Sequence, residues 1–293
     1  MAESLALDKR RVRESFGHAA DTYDAVAVLQ REIADRLLAR LELVQLKPKV
    51  ILDIGCGTGY GVRKLIQRYP RARVFGLDIA EAMTRRARQK SGLWNRVTGR
   101  CVFSCGDAER LPVATGSVDM IISNLTLQWC DPLVVFAEAQ RVLRPGGLMM
   151  FTTFGPDTLR ELRDAWRAAD DAPHVHAFID MHDLGDMLIH AGLADPVMDM
   201  EPFTLTYPSV MEVMRDLKRL GAHNVAVARA RGLTGKARFA RFRSAYESLA
   251  QNQKIPATYE AVYGHAWAPE PGQARARAGV AVVPVGRIGR RSP

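Results

Sequence analysis

The run Val50-Ile-Leu-Asp53-Ile-Gly55-Cys-Gly57-Thr-Gly59 holds the densest chemistry in the chain. An apolar strand leads into a glycine-rich turn, and a helical segment follows. Glycines accept positive φ and let a ligand approach the backbone closely. A turn at the carboxyl end of a strand is where open α/β sheets bind ligands. Two ligand classes use such a turn. Dinucleotides want the spacing G-x-G-x-x-G, yet here the third position is Tyr60 counted from Gly55, or Val62 counted from Gly57. Asp53 would also set a carboxylate beside a pyrophosphate. A sulfonium-bearing amino acid reverses that logic, because its ammonium group is attracted to acidic neighbours.

The elements that must position this turn are legible in the same sequence. Short β-rich runs fall at 50–54, 73–78, 101–105, 118–123 and 148–154, with helical segments near 60–69, 80–90, 132–143 and 180–191. That alternation predicts an α/β fold, a Rossmann-like, mostly parallel seven-stranded sheet with helices on both faces. Two further strands read at 196–206 and 257–267, separated by helices at 209–220 and 234–250. Residues 8–44 read as helical, with apolar positions at Leu29, Ile33, Leu37, Leu38 and Leu41. The expected organisation is an N-terminal helical lid (1–47), a cofactor-binding core (48–207), a basic helical insertion (208–256), a last core strand (257–268) and a flexible basic tail (269–293). The insertion is expected at the sheet's edge, over the carboxyl ends of the strands.

With its glycines alternating as G-x-G-x-G, the turn resembles the motif of class I S-adenosylmethionine-dependent methyltransferases. Further features fall where that family has them. Asp78, in Gly76-Leu-Asp78-Ile79-Ala-Glu-Ala-Met83, ends the second strand. A carboxylate there can accept both hydroxyls of a ribose diol, and it also stands where a helix N-cap would. Asp107, in Gly106-Asp107-Ala108, follows the third strand, where the resemblance implies an acceptor for the adenine amino group; a plain turn aspartate is the alternative. Asn124 and Leu125 end the fourth strand, where the family lines the methionine end of the cofactor. The resemblance thus implies S-adenosyl-L-methionine held by Tyr23, Asp53, Gly55, Gly57, Gly59, Asp78, Ile79, Met83, Asp107, Ala108, Asn124 and Leu125. Leu143-Arg-Pro145-Gly146-Gly147 is a family-typical structural turn before the fifth strand.

Beyond the core, residues 8–267 resemble the malonyl-[acyl-carrier protein] O-methyltransferases of biotin synthesis. The similarity rests on Ser15-Phe16-Gly-His-Ala-Ala20-Asp-Thr-Tyr23-Asp24 with Leu29-Gln30-Arg31-Glu32, and on Phe154-Gly-Pro-Asp157-Thr-Leu159-Arg-Glu161-Leu. It rests further on Phe178-Ile-Asp180-Met-His182-Asp183, Leu217-Lys218-Arg-Leu-Gly221-Ala-His223-Asn224 and Tyr259-Glu-Ala-Val-Tyr-Gly264-His265. The resemblance implies methyl transfer to the free carboxyl of a malonyl thioester on acyl-carrier protein, or on coenzyme A. The tail after Pro271 lies outside the pattern.

Such a carboxyl has a reference pKa near ~4 and is ionised at neutral pH. It is itself the nucleophile, so no general base is required and none is assigned. Carboxylate and sulfonium neutralise each other in the transition state, which a site drier than water favours. In-line positioning supplies up to ~7–11 kcal/mol in favourable cases. Phe16 and Tyr23 are the candidate lid residues, unless their helix merely packs aromatics on the sheet. His182, Lys218, His223 and Asn224 are the candidate holders of the carboxylate; an exposed helical lysine and a helix-capping His182 are the plainer readings. His174 and His176 with His182 invite a metal reading, but their spacing suits no metal site and none is assigned.

Charge locates a partner. Residues 209–254 carry +7 and residues 268–293 carry +4, out of a net +9, so the remainder is slightly acidic. A local basic surplus suits an acidic macromolecule, or is simply a solvated helix face. Arg238, Arg241 and Arg243 are the candidate docking residues for the acidic carrier. Phe239, Phe242 and Tyr246 fall at helical spacing and read as packing, not as platforms for stacked bases, which argues against nucleic acid. Two rival functions stay open: a methyltransferase acting on a quinone precursor or a small carboxylic acid such as aconitate, and a non-catalytic module binding nucleic acid or protein. The start, MAESLALDKRR, lacks the apolar stretch of a signal peptide. No run approaches the ~18 apolar residues of a membrane span. The four cysteines form no CxxC pair and read as reduced thiols of a cytoplasmic protein.

Overall fold

A computed structural model describes residues 7–92, 95, 97–170, 172–222 and 235–270. Its centre is a seven-stranded sheet in the order β3-β2-β1-β4-β5-β7-β6. The strands are β1 (Val50–Ile54), β2 (Arg73–Asp78), β3 (Cys101–Cys105), β4 (Val118–Asn124), β5 (Leu143–Phe154), β6 (Ala194–Tyr207) and β7 (Ile255–Trp267). Pairings among β1 to β5 are parallel, and β7 lies antiparallel between β5 and β6. β1 is buried along nearly all its length, and apolar but for Asp53, because helices cover both faces of a parallel sheet.

Register brings the chemistry to one edge. Ile54 pairs with Leu77 on one side and with Ser123 on the other, and Asp78 pairs with Cys105. The residues following these strand ends therefore converge: the glycine turn, Asp78, Asp107 and Asn124. One apolar layer packs Leu29, Ile33 and Leu37 against the sheet, and a second packs Val135, Phe136, Leu184 and Leu188 on its other face.

The helices are α1 (Lys9–Ala19), α2 (Tyr23–Val26), α3 (Val28–Ala39), α4 (Tyr60–Arg68), α5 (Glu81–Lys90), α6 (Pro132–Val142), α7 (Arg160–Arg167), α8 (Met181–His190), α9 (Val210–Arg219) and α10 (Lys236–Glu247). The segment expected to be helical over 8–44 is broken. Ala27 leaves the helical region at ψ 46°, separating α2, which carries Asp24, from α3. The Asp24 carboxylate accepts from the Thr58 hydroxyl at 2.5 Å and pairs with Lys90. Helix α7 was not foreseen. It follows Leu159, which sits at φ 55°, and buries Leu162, Ala165 and Trp166. Glu161 fixes it by accepting from the Thr258 backbone amide at 3.0 Å. The Pro145-Gly146-Gly147 turn is absorbed into β5, which starts at Leu143, and the pairing with β4 shifts register at Val118/Met120.

The inserted helices α9 and α10 pack on the N-terminal helix and on α7. The Ser15 hydroxyl donates to the Gly221 carbonyl at 2.8 Å. Trp166 stacks on Phe242 with ring centroids 4.0 Å apart, which seats α10 on α7. Phe242 and Tyr246 are fully buried, so the aromatic stripe is packing, as read from its spacing. Residues 223–234 and 271–293, which include His223, Asn224 and nearly all of the basic tail, lie outside the described residues.

Candidate active site

The glycine turn opens onto a cleft with two lobes. Gly55, Gly57 and Gly59 all adopt positive φ, at 71°, 50° and 81°. A Cβ on Gly57 would project into open space, so this backbone faces the cleft. Gly59 does not. A Cβ there would meet Ala87 at 3.0 Å and Phe103 at 3.4 Å, so Gly59 permits α5 and β3 to pack closely, and it lines neither lobe of the cleft.

The larger lobe is lined by Phe16, Tyr23, Gly55, Gly57, Asp78, Ile79, Met83, Asp107, Ala108, Asn124 and Leu125. Asp78 is 9% exposed. One carboxylate oxygen accepts from the Gly57 amide at 2.9 Å, the other from the Ala80 amide at 2.8 Å. It thus ties the glycine turn to the start of α5 and still presents acceptor capacity to a diol. Burial raises its pKa to about 6 against these two amides. Asp107 is held differently. Lys9 of α1 contacts both its oxygens at 2.7 Å and reaches Glu109 at 2.6 Å.

The smaller lobe is lined by Tyr23, Gln30, Arg31, Asp53, Gly55, Gly57 and Asn124. Tyr23, both glycines and Asn124 belong to both lobes, so they form the waist of the cleft. Asp53 is 3% exposed. Burial, with the neighbouring Asp78 charge, pushes its pKa up to about 8. A buried carboxyl of this kind becomes fully ionised when a cation is brought beside it. Gln30 Oε1 is buried with no hydrogen-bond donor. A ligand that brings an ammonium group would satisfy Gln30 and Asp53 together, and Arg31 stands on the same lobe to meet a carboxylate. Asn124 is fixed by donating to the Gln30 carbonyl at 3.1 Å and accepting from Thr152 at 2.8 Å.

Sequence reasoning noted Gln30 and Arg31 only as part of a signature, and it missed Lys9 and Trp129. Lys9 carried no signal beyond its place in a basic run. Trp129 sits in a short 3-10 turn after β4, where Phe16 meets it edge-on at 5.3 Å.

Beside the cleft, and sharing Lys9, Trp129 and Cys130 with it, is a second chamber walled by Phe154, His176, Phe178, Leu184 and Met187. Of the expected carboxylate holders, the described residues His182 and Lys218 are not part of its wall. His182 is 80% exposed and pairs with Asp180 at 2.7 Å at the start of α8. Asp180 caps that helix, accepting from the His182 amide at 2.8 Å, and His182 lines neither cleft nor chamber. Lys218 lies on the exposed side of α9 and lines neither cleft nor chamber, which leaves the solvated-helix reading. The three histidines that invited a metal reading go to three places. His174 stacks on Trp166 and pairs with Asp170, His176 walls the chamber, and His182 faces solvent. Arg238 pairs with Asp170 at 3.2 Å and Arg241 donates to the Ala169 carbonyl at 3.0 Å. Both therefore fasten α10 to the end of α7. Arg243 pairs with Glu247 on the exposed face of α10.

A methyltransferase-domain family matches residues 52–151. The malonyl-[acyl-carrier protein] O-methyltransferase of Nitrosospira multiformis is 52% identical over 278 residues, covering 90% of this chain and 91% of that protein. The enzyme of the same name from Laribacter hongkongensis is 53% identical over 274 residues, covering 92% of each. Among solved structures, the YcgJ protein of Bacillus subtilis matches with a TM-score of 0.57 at 18% identity, over 80% of this chain and 99% of that one. A Haloferax volcanii protein solved with the Trm112 methyltransferase activator matches with a TM-score of 0.56 at 19% identity, over 88% and 98%. At such identities these structures attest the fold, and the relatives above half identity attest the family. The chain belongs to the malonyl-[acyl-carrier protein] O-methyltransferase family of S-adenosylmethionine-dependent class I methyltransferases.

Proposed function

We propose that this chain methylates the free carboxylate of a malonyl thioester carried on acyl-carrier protein, giving the malonyl methyl ester that starts pimeloyl and biotin synthesis. The observation that carries the reading is the pair of adjoining cavities, an acid-lined cleft and an aromatic chamber that meet at Trp129. S-adenosyl-L-methionine supplies an electrophilic methyl group when bound. Asp78 is the residue for its ribose diol, and Asp53 with Gln30 for its ammonium group. Asp107 is the acceptor for the adenine amino group once Lys9 yields part of its hold. Tyr23, Asn124 and Leu125 line the waist, Ile79, Met83 and Ala108 the adenosine wall.

In the reaction a carboxylate oxygen bonds to the methyl carbon as the sulfur–carbon bond breaks. No proton moves, and no side chain is needed as a base. The protein's contribution is to dry the site and align the partners. Phe16 and Trp129 exclude water where the cavities join, and the α1 segment roofs them. The basic insertion supplies the charge to receive an acidic carrier. The four cysteines are free thiols, which suits a reducing cytoplasm. Among the described residues no helix is long and apolar enough to cross a membrane.

Mass spectrometry of malonyl-acyl-carrier protein, before and after incubation with the protein and S-adenosylmethionine, tests the reading. A gain of one methyl group is expected, with malonyl-coenzyme A run in parallel. No gain on either thioester, with transfer to a quinone precursor or a small acid such as aconitate, overturns it.

A further inference from the structure

The chamber beside the cleft is mostly apolar, and its polar lining is largely committed. Gln128 donates to the Leu125 carbonyl at 2.8 Å and accepts from Thr153 at 3.2 Å. Lys9 is engaged by Asp107 and Glu109. His176 stands apart. Its ring lies between Trp129, at 5.1 Å, and Phe178, at 4.6 Å between centroids. It is 9% exposed, and its Nε2 is shielded from solvent without any hydrogen-bond partner. A buried polar nitrogen left unpaired costs free energy, so such groups call for an explanation. Here the imidazole walls the chamber that shares Trp129 with the methyl-donor cleft.

We propose that His176 orients the acceptor, its Nε2–H donating to the oxygen of the substrate carboxylate that does not attack the methyl group. The inference rests on the carboxylate-acceptor reading above. Charge explains why a histidine suits the task. The carboxylate loses its charge on the way to the ester, so a full cation would hold it more tightly before reaction than at the transition state. Such binding slows the chemical step. A neutral donor fixes direction with less ground-state stabilisation. Burial lowers the His176 pKa to about 4, so the ring stays uncharged at neutral pH. Trp129 and Phe178 fix its plane, which leaves the donor pre-aimed.

His176→Phe and His176→Gln test this. The first keeps an aromatic ring between Trp129 and Phe178 and deletes the donor; the second restores an N–H. With malonyl-acyl-carrier protein, His176→Phe is expected to lower kcat/KM by about 10- to 100-fold, the range for a lost hydrogen bond to a charged group. Affinity for S-adenosylhomocysteine by calorimetry and the melting temperature should stay near those of the parent. His176→Gln should regain part of the lost rate. If the parent methylates the thioester and His176→Phe does so equally well, the inference falls while the proposed function stands. If both variants lose S-adenosylhomocysteine binding in step with activity, His176 is a support of the cleft and the inference falls again. If the parent itself leaves the thioester unmethylated, it is the function reading that has failed.

Discussion

Lys9, in the first turn of α1, holds both carboxylate oxygens of Asp107 at 2.7 Å, joining the N-terminal helix to the loop after β3. The contact spans 98 residues of sequence and crosses the mouth of the larger lobe. Glu109 completes the clamp at 2.6 Å. A second tie comes from the insertion, where the Ser15 hydroxyl meets the Gly221 carbonyl after α9. Helix α1 is thus held by an ion pair at its start and by a neutral hydrogen bond further along.

Lys9→Ala should loosen the charged pin. The pair is about a third exposed, so its worth is at most ~1 kcal/mol. The expected result is a several-fold faster dissociation of S-adenosylhomocysteine in stopped-flow displacement, more marked at low salt. An unchanged dissociation rate at low salt would show that α1 does not gate the cleft.

Asp78 has two tasks, and its variants separate them. Asp78→Asn keeps the shape but only one acceptor oxygen, so one of the Gly57 and Ala80 amides loses its partner; Asp78→Ala removes both contacts. Both should weaken S-adenosylhomocysteine binding by at least about tenfold, given ~1.5–3 kcal/mol for each hydrogen bond to a charged acceptor. Asp78→Ala should lower the melting temperature of the cofactor-free protein more than Asp78→Asn, because only the Ala variant loses both amide contacts that tie the glycine turn to α5. Calorimetric affinities equal to the parent's would take Asp78 out of the site.

Proton linkage at Asp53 sets a pH dependence. In the folded, cofactor-free protein its carboxyl keeps a proton up to about pH 8, whereas an unfolded aspartate ionises near pH ~4. Between those values the fold binds more protons than the unfolded chain, so stability falls as pH rises across that window. Cofactor binding has the opposite trend. An ammonium group favours the ionised Asp53, so binding releases a proton and affinity rises from pH 6 to pH 8. Calorimetry in buffers of different ionisation enthalpy reads the proton directly. Asp53→Asn should flatten the profile, raise the stability of the free protein at neutral pH and weaken the cofactor. A profile as steep in Asp53→Asn as in the parent would assign the proton elsewhere.

The strands at 50–54, 73–78 and 101–105 were legible to the residue, because each is a short run rich in β-branched, aromatic and other apolar residues between turn or helical segments. The glycine turn, Asp78 and Asp107 were legible because their chemistry follows directly on those strand ends. What sequence could not supply was tertiary choice. Nothing local to Lys9 indicates that it pairs with Asp107, and nothing local to His182 distinguishes an exposed residue of a helix's first turn from a ligand. α7 was missed because its periodicity is short, Leu162, Ala165 and Trp166, and its start depends on Leu159 adopting φ 55° and on Glu161 meeting β7. Gly59 shows that a glycine in such a motif also serves the fold, through its positive φ and its packing against α5 and β3.

Docking of an acidic carrier is testable on the insertion, but not with every arginine there. Arg238 and Arg241 hold α10 to the end of α7, so reversing them would damage the fold and confound any kinetic change. Lys218, Arg219 and Lys236 lie exposed on α9 and at the start of α10 and make the cleaner set. Electrostatic docking mainly raises the encounter rate, and salt screens it with a Debye length near ~8 Å at physiological ionic strength. Reversing these three to Glu should therefore raise KM for malonyl-acyl-carrier protein several-fold and leave kcat near the parent's. A small malonyl thioester without the protein carrier should respond far less. Rising salt should lower kcat/KM on the carrier substrate more steeply in the parent than in the triple variant, because the variant has already lost the attraction that salt removes. If both substrates respond alike to the reversal and to salt, the insertion's positive charge is a solvated face, and the carrier docks elsewhere.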